Sequence, residues 1–529
     1  MIYRPAQPSS LWDSCLFEWQ GTFHLYHLQS VHGLWDQIGH AVSDDLLHWS
    51  PRPVIDVAGQ PGQWNEGPMI LTGMVVPHEG LFYLFAGGRQ AGRQVMGVFV
   101  SDDLDRWRPH SSNPVLCPKG PHYLDAPSPL CPEVDWRDPC IALRPADGHY
   151  HALLCARGPS ITHADSGATI AHVRSKDLIQ WEHLPPIETP TGHFYDTEVP
   201  DLFELDGRYY LLFSTATSGG FQINTTCRDN VTGTFYMVGD NADGPFDLPD
   251  DCLLAGAGQG RMTSYCGRTI AYQGGRLFYH HINRGGDVQA QGSEQGSRLL
   301  PYHVNLGGNV QKLRHTWASP KMVRARGDGR LYLEYMPLLE KLETRTLCDS
   351  TAATPCFQPD LYGQWDRADG EIVGECLART SSCKVHEDAA DLHLTCRIRS
   401  GGSARPGILL RVADGEAVLV TLNFGRQRLE IGTCNNDRSG WGLAMADVLA
   451  TNGTSFLYND LCRRELKDGA EHLLRIFARD EHFEVYLDER WVFTSVIPNA
   501  PKAGSVELAI ARGRATFTDL RLAAIEPLA

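Results

Sequence analysis

Three acidic residues open this sequence to a chemical reading. Asp13 lies in "LWDSCLFEWQGTFHLYHL" (11–28), Asp138 in "DWRDPC" (135–140) and Glu198 in "YDTEVPDLFEL" (195–205). Each precedes an aromatic, strand-like run by a similar interval. A carboxylate in such a place either caps a turn or does chemistry. Two carboxyls brought together can divide acid/base work, one staying ionised while the other holds a proton. Acids this far apart in sequence meet only if the fold repeats, so that equivalent strand starts face one axis.

The chain does repeat. "GTFHLYH" (21–27) is followed by "GHAVSDDLLHW" (39–49), "GLFYLFAGG" (80–88) by "MGVFVSDDLDRW" (96–107), and "GHYHALLCAR" (148–157) by "TIAHVRSKDLIQW" (169–181). "GRYYLLFSTA" (207–216) precedes "GTFYMVGDNADGPF" (233–246), and "GRLFYHHI" (275–282) and "GRLYLEYMP" (329–337) complete the series. Each unit is a Gly-led turn, an aromatic-rich strand and an apolar strand. Alone, such a meander cannot bury both faces; packed around an axis, it can. The expectation is an all-β chain with a five-bladed β-propeller over residues 1–345, whose innermost strands carry the three acids into one funnel. The tail Ser-Asp/Lys-Asp-Leu-x-x-Trp, at 43–49, 101–107 and 175–181, supplies a turn at its Asp-Leu step and a blade-packing Trp. Residues 346–529 hold a linker, "CDSTAATPCFQPDLYGQ" (348–364), and then period-two runs such as "LHLTCRIRS", "AVLVTLNF" and "HFEVYLDE". These predict a β-sandwich.

Composition narrows the partners. A net charge of −16 argues against sequence-independent binding to nucleic acid or to an anionic membrane, both of which need basic stripes. No apolar run approaches the ~20 residues of a membrane helix. "MIYRPAQPSS" lacks a basic stretch followed by an apolar core, so a cytoplasmic protein is expected, or a secreted one if this N-terminus is processed or truncated. The fifteen cysteines are scattered, and Cys348/Cys356 and Cys376/Cys383 lack zinc-ribbon spacing, which predicts free thiols. His24, His27, His40, His280 and His281 lie on strand-like runs without metal-site spacing; they read as core or sugar-contacting residues. No metal and no cofactor are expected. "NTT" at Asn224 and "NGT" at Asn452 match the glycosylation pattern, which matters only in a secreted eukaryotic chain. "GGNVQ" and "GAGQGR" read as loops, not phosphate sites. A neutral substrate fits so acidic a surface; the sequence fixes no oligomeric state.

With these residues in order, the chain resembles glycoside hydrolase family 32, the invertase, inulinase and levanase family, and its clan with family 68. "GHAVSDDLLHW" is similar to that family's blade-one strand, "WRDP" to its Arg-Asp-Pro motif and "TEVPDLF" to its Glu-Cys-Pro-Asp motif, with Val199 in place of Cys. "TWASPKMV" (316–323) resembles the close of its propeller. The resemblance implies Asp13 as nucleophile, Glu198 as general acid/base and Asp138 as transition-state stabiliser, with Arg137 beside Asp138 fixing its orientation. "WDS" around Asp13 departs from the family's usual motif and looks more like the fructosyltransferases of family 68. Other departures fall around the sugar pocket: Leu28 with Gln29 beside it, Ile38 before "GHA", and "WNEG" (64–67). The substrate-binding candidates are therefore Trp12, Gln29, Trp64, Glu66 and Arg137. The implied activity is retaining hydrolysis of furanosides, most of all exo-cleavage of β-fructosides such as fructans and fructo-oligosaccharides. Fructosyl transfer, cleavage of another furanoside such as an arabinofuranoside, and a carbohydrate-binding propeller without catalysis are the competing readings.

Overall fold

The computed structural model describes residues 2–6, 9–30, 35–66, 70–162, 167–190, 194, 196–215, 232–249, 252–257, 264–282, 315–350, 356–401, 404–435, 466–497 and 500–528. Asn224, Asn452, "GGNVQ" and most of "GAGQGR" lie outside them. The chain forms two compact units, residues 2–256 with 260–331 and residues 332–529.

The first unit is all-β and propeller-like. Strands β1 (Ser10–Trp19), β2 (Thr22–Ser30), β3 (Gln37–Ser43) and β4 (Ser50–Asp56) make one antiparallel sheet in sequence order. β5 (Leu71–His78), β6 (Leu81–Gln90), β7 (Arg93–Ser101) and β8 (Arg108–Pro109) make the next, and β9 (Trp136–Arg144), β10 (His149–Arg157), β11 (Ala168–Ser175) and β12 (Glu182–Leu184) a third. β13 (Glu198–Leu205), β14 (Arg208–Thr215), β15 (Thr232–Gly239), β16 (Phe246–Asp247) and β17 (Leu253–Ala257) form the fourth. Five separate blades were expected, and four separate sheets are seen. β18 (Ser264–Tyr272), β19 (Gly275–Ile282), β20 (Thr316–Trp317) and β21 (Lys321–Ala325) stand where the fifth was predicted. They do not stand as a separate sheet, because the strand that follows them, Leu331–Glu334, pairs onward through Glu334 with Arg490.

The repeated tails build nearly superposable turns. Ser43, Ser101 and Ser175 each donate Oγ–H to the carboxylate two residues on, Asp45, Asp103 or Asp177, at 3.0–3.1 Å. That carboxylate accepts two backbone N–H groups in each case. A short polar side chain bonding its own backbone is what fixes such a turn. The Leu between them sits in the left-handed region, at φ 65° for Leu46, 65° for Leu104 and 64° for Leu178. Its carbonyl accepts the indole N–H of Trp49, Trp107 or Trp181 at 3.1–3.2 Å. The indoles then reach the preceding unit: Trp107 meets Tyr26 edge-on at 5.9 Å and Trp181 meets Phe85 at 6.0 Å.

The second unit is also all-β and antiparallel. Its 22-residue strand Gly504–Ile525 pairs along its length with Glu371–Ala389, Leu392–Gly401, Arg405–Ala413 and Glu343–Asp349. Alternate residues (Leu392, Leu394, Cys396 and Ile398 on one strand; Val506, Leu508 and Ile510 on another) point into one apolar core. Arg411 is fully buried beside it. Its guanidinium donates to the carbonyls of Ala390 (2.8 Å), Asp480 (2.6 Å) and Pro501 (3.3 Å) and to the Asp391 carboxylate (3.1 Å). Arg411→Met leaves these acceptors and the Asp391 charge without that donor, so the unit is expected to lose about 3–5 kcal/mol of stability. Urea unfolding followed by fluorescence measures it; an unchanged midpoint contradicts it.

Candidate active site

The site is assembled by a backbone irregularity that recurs on the inner strands. β1, β5, β9, β13 and β18 each slip register against their hairpin partner, between Leu11 and Ser14, Leu71 and Met74, Arg137 and Cys140, Glu198 and Asp201, and Tyr265 and Arg268. The residues set out of the ladder are Trp12-Asp13, Thr72-Gly73, Asp138-Pro139, Val199-Pro200 and Cys266-Gly267. A bulge of this kind bends the strand and re-aims a side chain. Asp138, Val199 and Cys266 take the strained positive φ, at 60°, 50° and 53°. Gly73 is obligatory, since a Cβ there would lie 1.8 Å from the Phe85 carbonyl oxygen.

The bulges bring the three predicted acids within electrostatic reach of one another. Asp13 and Asp138 are buried and Glu198 is partly open. The Thr72 hydroxyl donates to Asp13 Oδ2 at 2.5 Å, and the Cys266 thiol lies against the same carboxylate. Asp138 Oδ2 accepts the backbone N–H of Val199 at 3.2 Å, which ties the third inner strand to the fourth. Glu198 accepts from the Tyr265 hydroxyl on one oxygen and from Arg137 Nη2, at 2.9 Å, on the other. The Arg137 guanidinium is the hub. It pairs with Asp135, with Asp138 at 3.3 Å, with Asp196 at 3.4 Å and with Glu198, and donates to Gln94 Oε1 at 3.2 Å. Arg157 braces Asp135 from the far side at 2.5 Å.

Crowding of negative charge in a dry site sets the acidities. Burial pushes Asp13 up to about 6; the Glu198 charge adds to this, while hydrogen bonds from Cys266 and Thr72 and the Arg268 charge oppose it. Burial likewise lifts Asp138 to about 7 against the pull of Arg137, with Asp13 and Glu198 adding to the rise. Asp196 is pushed well above the carboxylate range by burial and by Glu198. Asp135 goes the other way: burial is outweighed by Arg137 and Arg157. The cluster can therefore hold protons on some carboxyls near neutrality while others stay ionised, as acid/base chemistry requires.

The sugar-binding candidates fare unevenly. Arg137 is in the cluster. Trp12 is buried, stacked on Trp35 (5.4 Å) and tilted against His281 (4.6 Å) and His315 (4.9 Å), so most of its ring is committed to packing. Trp64 lies over the backbone of Gly97, where an added Cβ would meet its ring at 2.1 Å. Gln29 is buried, donating to Ser9 Oγ at 3.3 Å. Glu66 is exposed and accepts the Gly62 N–H at 2.5 Å, closing a turn; none of its described contacts reaches the acids. Leu28 and Ile38 face each other across β2 and β3 inside an apolar core. Thr72, Tyr265 and Cys266, which touch the acids, and Asp196, which pairs with Arg137 beside them, are not among the sequence-predicted residues. The signal for Tyr265 and Cys266 is "SYCGRTIAY", the inner strand of another repeat, found by aligning strand starts rather than searching for acids.

Fold and site together define a class: an all-β, propeller-like protein whose inner strands gather carboxylates around a buried arginine. Comparison with known proteins then narrows the class. The model described as "Glycosyl hydrolases family 32 N-terminal domain" matches residues 13–256. The beta-fructofuranosidase, insoluble isoenzyme 7, of Oryza sativa subsp. indica is 28% identical over 260 residues, 44% of this chain and 40% of that protein. The 6(G)-fructosyltransferase of Asparagus officinalis is 29% identical over 198 residues, 35% of this chain and 30% of its own. Matches to these curated relatives thus span less than half of their length. Among solved structures, the exo-inulinase from Aspergillus awamori is similar with a TM-score of 0.63 at 18% identity, covering 98% of this chain and 96% of that one. A Bombyx mori beta-fructofuranosidase gives 0.62 at 16% identity, covering 98% and 91%. The matched family model thus covers residues 13–256 of this chain, and the two solved structures share its fold.

Proposed function

We propose that the protein is a retaining, exo-acting glycoside hydrolase of β-fructosides. The observation that carries this reading is the meeting of Asp13, Asp138 and Glu198 from three separate inner strands, with Glu198 held between Tyr265 and Arg137. Asp13, ionised, attacks the anomeric carbon of the terminal fructosyl group. Glu198 gives its proton to the departing glycosidic oxygen, and the glycosyl–Asp13 ester forms. Glu198 then takes a proton from water, the water oxygen attacks the same carbon, and Asp13 leaves as a carboxylate, so configuration is retained. Asp138 accepts hydrogen bonds from sugar hydroxyls as positive charge develops on the ring.

The same reading takes β18–β21 as a fifth blade that closes the ring, and the second unit as a β-sandwich. Support for closure is the bulge that β18 shares with β1, β5, β9 and β13, and the first unit's Trp49, which meets Trp317 edge-on at 5.2 Å as Trp107 and Trp181 meet their own neighbours. The Leu16 N–H also donates to the Tyr279 hydroxyl at 3.1 Å, and the Ile2 N–H to the Trp317 carbonyl at 3.0 Å.

The test is incubation with sucrose, inulin, levan and synthetic arabinofuranosides, products being separated by chromatography and the first-formed anomer read by NMR. Release of β-fructose supports the reading; no cleavage of any fructoside sinks it. Because Asp13 is lifted to about 6, kcat/KM is expected to fall about tenfold per pH unit below that value, as the nucleophile becomes protonated. A rate flat down to pH 4 contradicts the assignment of Asp13. "WDS" around Asp13 favours one second reading, fructosyl transfer, in which a sugar hydroxyl replaces water in the second step. Kestose-type products growing with sucrose concentration identify it.

A further inference from the structure

We propose that Asp13, Cys266 and His281 form a binding site for a zinc-class cation, and that a cation bound there blocks the active centre. The inhibitory part rests on the catalytic reading of Asp13; the binding part does not. One carboxylate oxygen, one thiol sulfur and one imidazole nitrogen from these residues all lie within 4.8 Å of one another. Asp13 Oδ1 stands 3.8 Å from His281 Nδ1, close to the ~3.3–3.8 Å separating two ligands of a tetrahedral zinc. The three come from three different strands, β1, β18 and β19, so no sequence spacing announces them.

A second observation points to a ligand. His281 is fully buried, yet neither of its ring nitrogens has a hydrogen-bond partner among the described residues, and Asp13 Oδ1 is equally unsatisfied. Buried polar atoms are ordinarily paired, and each exception calls for an occupant or a role. Trp12, tilted against His281 at 4.6 Å, and Tyr265, at 6.2 Å, fix the ring's place without bonding its nitrogens. The donor set of thiolate, imidazole and carboxylate suits a borderline-soft cation such as Zn2+ over Mg2+ or Ca2+, which prefer all-oxygen shells. Three protein ligands leave the fourth position open to water. On binding, Cys266 loses its thiol proton to solvent and its sulfur takes a bond to the metal. Asp13 then donates an oxygen lone pair to the cation and cannot attack carbon, so cation and substrate exclude one another.

The experiment uses the full-length protein stripped with EDTA. Zn2+ is titrated in by calorimetry, and Co2+ is added separately as a spectroscopic probe. The expected result is a zinc equivalent, and a near-ultraviolet thiolate-to-cobalt charge-transfer band, that are both lost in Cys266→Ser. His281→Gln should weaken that binding about 100-fold or more, removal of a direct ligand costing at least what loss of a supporting residue does. Circular dichroism checks that each variant is folded; Cys266→Ala is the alternative if serine is not tolerated. Zinc binding and a cobalt band unchanged in the folded variants, or no cobalt band in the parent protein, overturn the site. Fructoside cleavage that zinc inhibits and EDTA restores supports the whole proposal. Zinc binding lost in the variants, in a protein that cleaves no fructoside, keeps the metal site and removes only the catalytic reading. Zinc held by these residues with cleavage undiminished overturns the blocking role.

Discussion

Asp13→Asn and Glu198→Gln are each expected to lower kcat on fructosides by at least ~10³-fold while the fold persists, because each removes a step that nothing else in the cluster supplies. Asparagine keeps the shape of Asp13 and an oxygen for the Thr72 hydroxyl, but its amide cannot form the glycosyl ester. Glutamine at 198 keeps an acceptor for Arg137 but has no proton to give the leaving oxygen. The two losses differ in kind. A substrate with an acidic leaving group needs no proton, so Glu198→Gln should recover the first step on a nitrophenyl fructoside, and Asp13→Asn should not. Stability supplies an independent readout. The folded acidity of Asp13 is raised, from an ordinary 3.8 to about 6, so the folded state binds the proton more tightly than the unfolded one. Stability from this group is therefore complete below about pH 4 and is lost as pH rises through 6. Asp13→Asn should be more stable than the parent at pH 8, by up to about 3 kcal/mol for a two-unit shift, and equal to it near pH 4. Near-parental turnover in either variant removes the assignment; a destabilised Asp13→Asn at pH 8 removes the electrostatic account of the site.

What the sequence shows of this molecule follows the range of the interactions. The turns at 43–49, 101–107 and 175–181 are legible because every bond that makes them lies within seven consecutive residues. The three acids are legible because each stands at the start of a repeated strand. The number of separate sheets is not, since it depends on whether a ladder ends or runs on, and the long-range pair of Glu334 with Arg490 decides that. Glu66 reads as a substrate ligand from its place in a motif, while the contact it makes is with the Gly62 N–H, four residues away. Tyr265 and Cys266 are not legible, because their strand, "SYCGRTIAY", carries no carboxylate. Their nearness to Glu198 and Asp13 comes from the bulge, a backbone feature that Thr-Gly, Asp-Pro, Val-Pro and Cys-Gly all satisfy.

Arg137→Met is expected to be the most damaging single change in the first unit, and its damage should depend on pH. Arg137 is buried and faces four carboxylates, Asp135, Asp138, Asp196 and Glu198. Methionine fills much of its volume but takes the directly paired cation from Asp138, Asp196 and Glu198; Asp135 keeps its pair with Arg157, and the charges of Arg268 on Asp138 and Arg157 on Asp196 remain. Breaking a buried ion pair by removing one partner costs about 3–5 kcal/mol, most of it the penalty on the stranded charge. The stranded groups can escape that penalty only by taking up protons. Without Arg137, which now pulls Asp138 and Asp196 down against burial, their folded acidities rise further above the unfolded ones. Stability must then fall as pH increases, so the deficit relative to the parent should be large at pH 8 and small near pH 4. Activity should fall about 100-fold or more, because Glu198 loses the contact that aims it and small misplacements of a reacting group are costly. Arg137→Lys separates charge from geometry: one ammonium restores much of the neutralisation but cannot make the forked contacts to Glu198, Asp138 and Asp196 at once. Its melting temperature should recover more than its turnover. Melting curves from pH 4 to pH 8, with kcat on the same preparations, measure both quantities. A deficit independent of pH would mean that Arg137 acts by packing alone, and equal recovery of stability and turnover in the lysine variant would mean that its charge, not its fork, positions the acid.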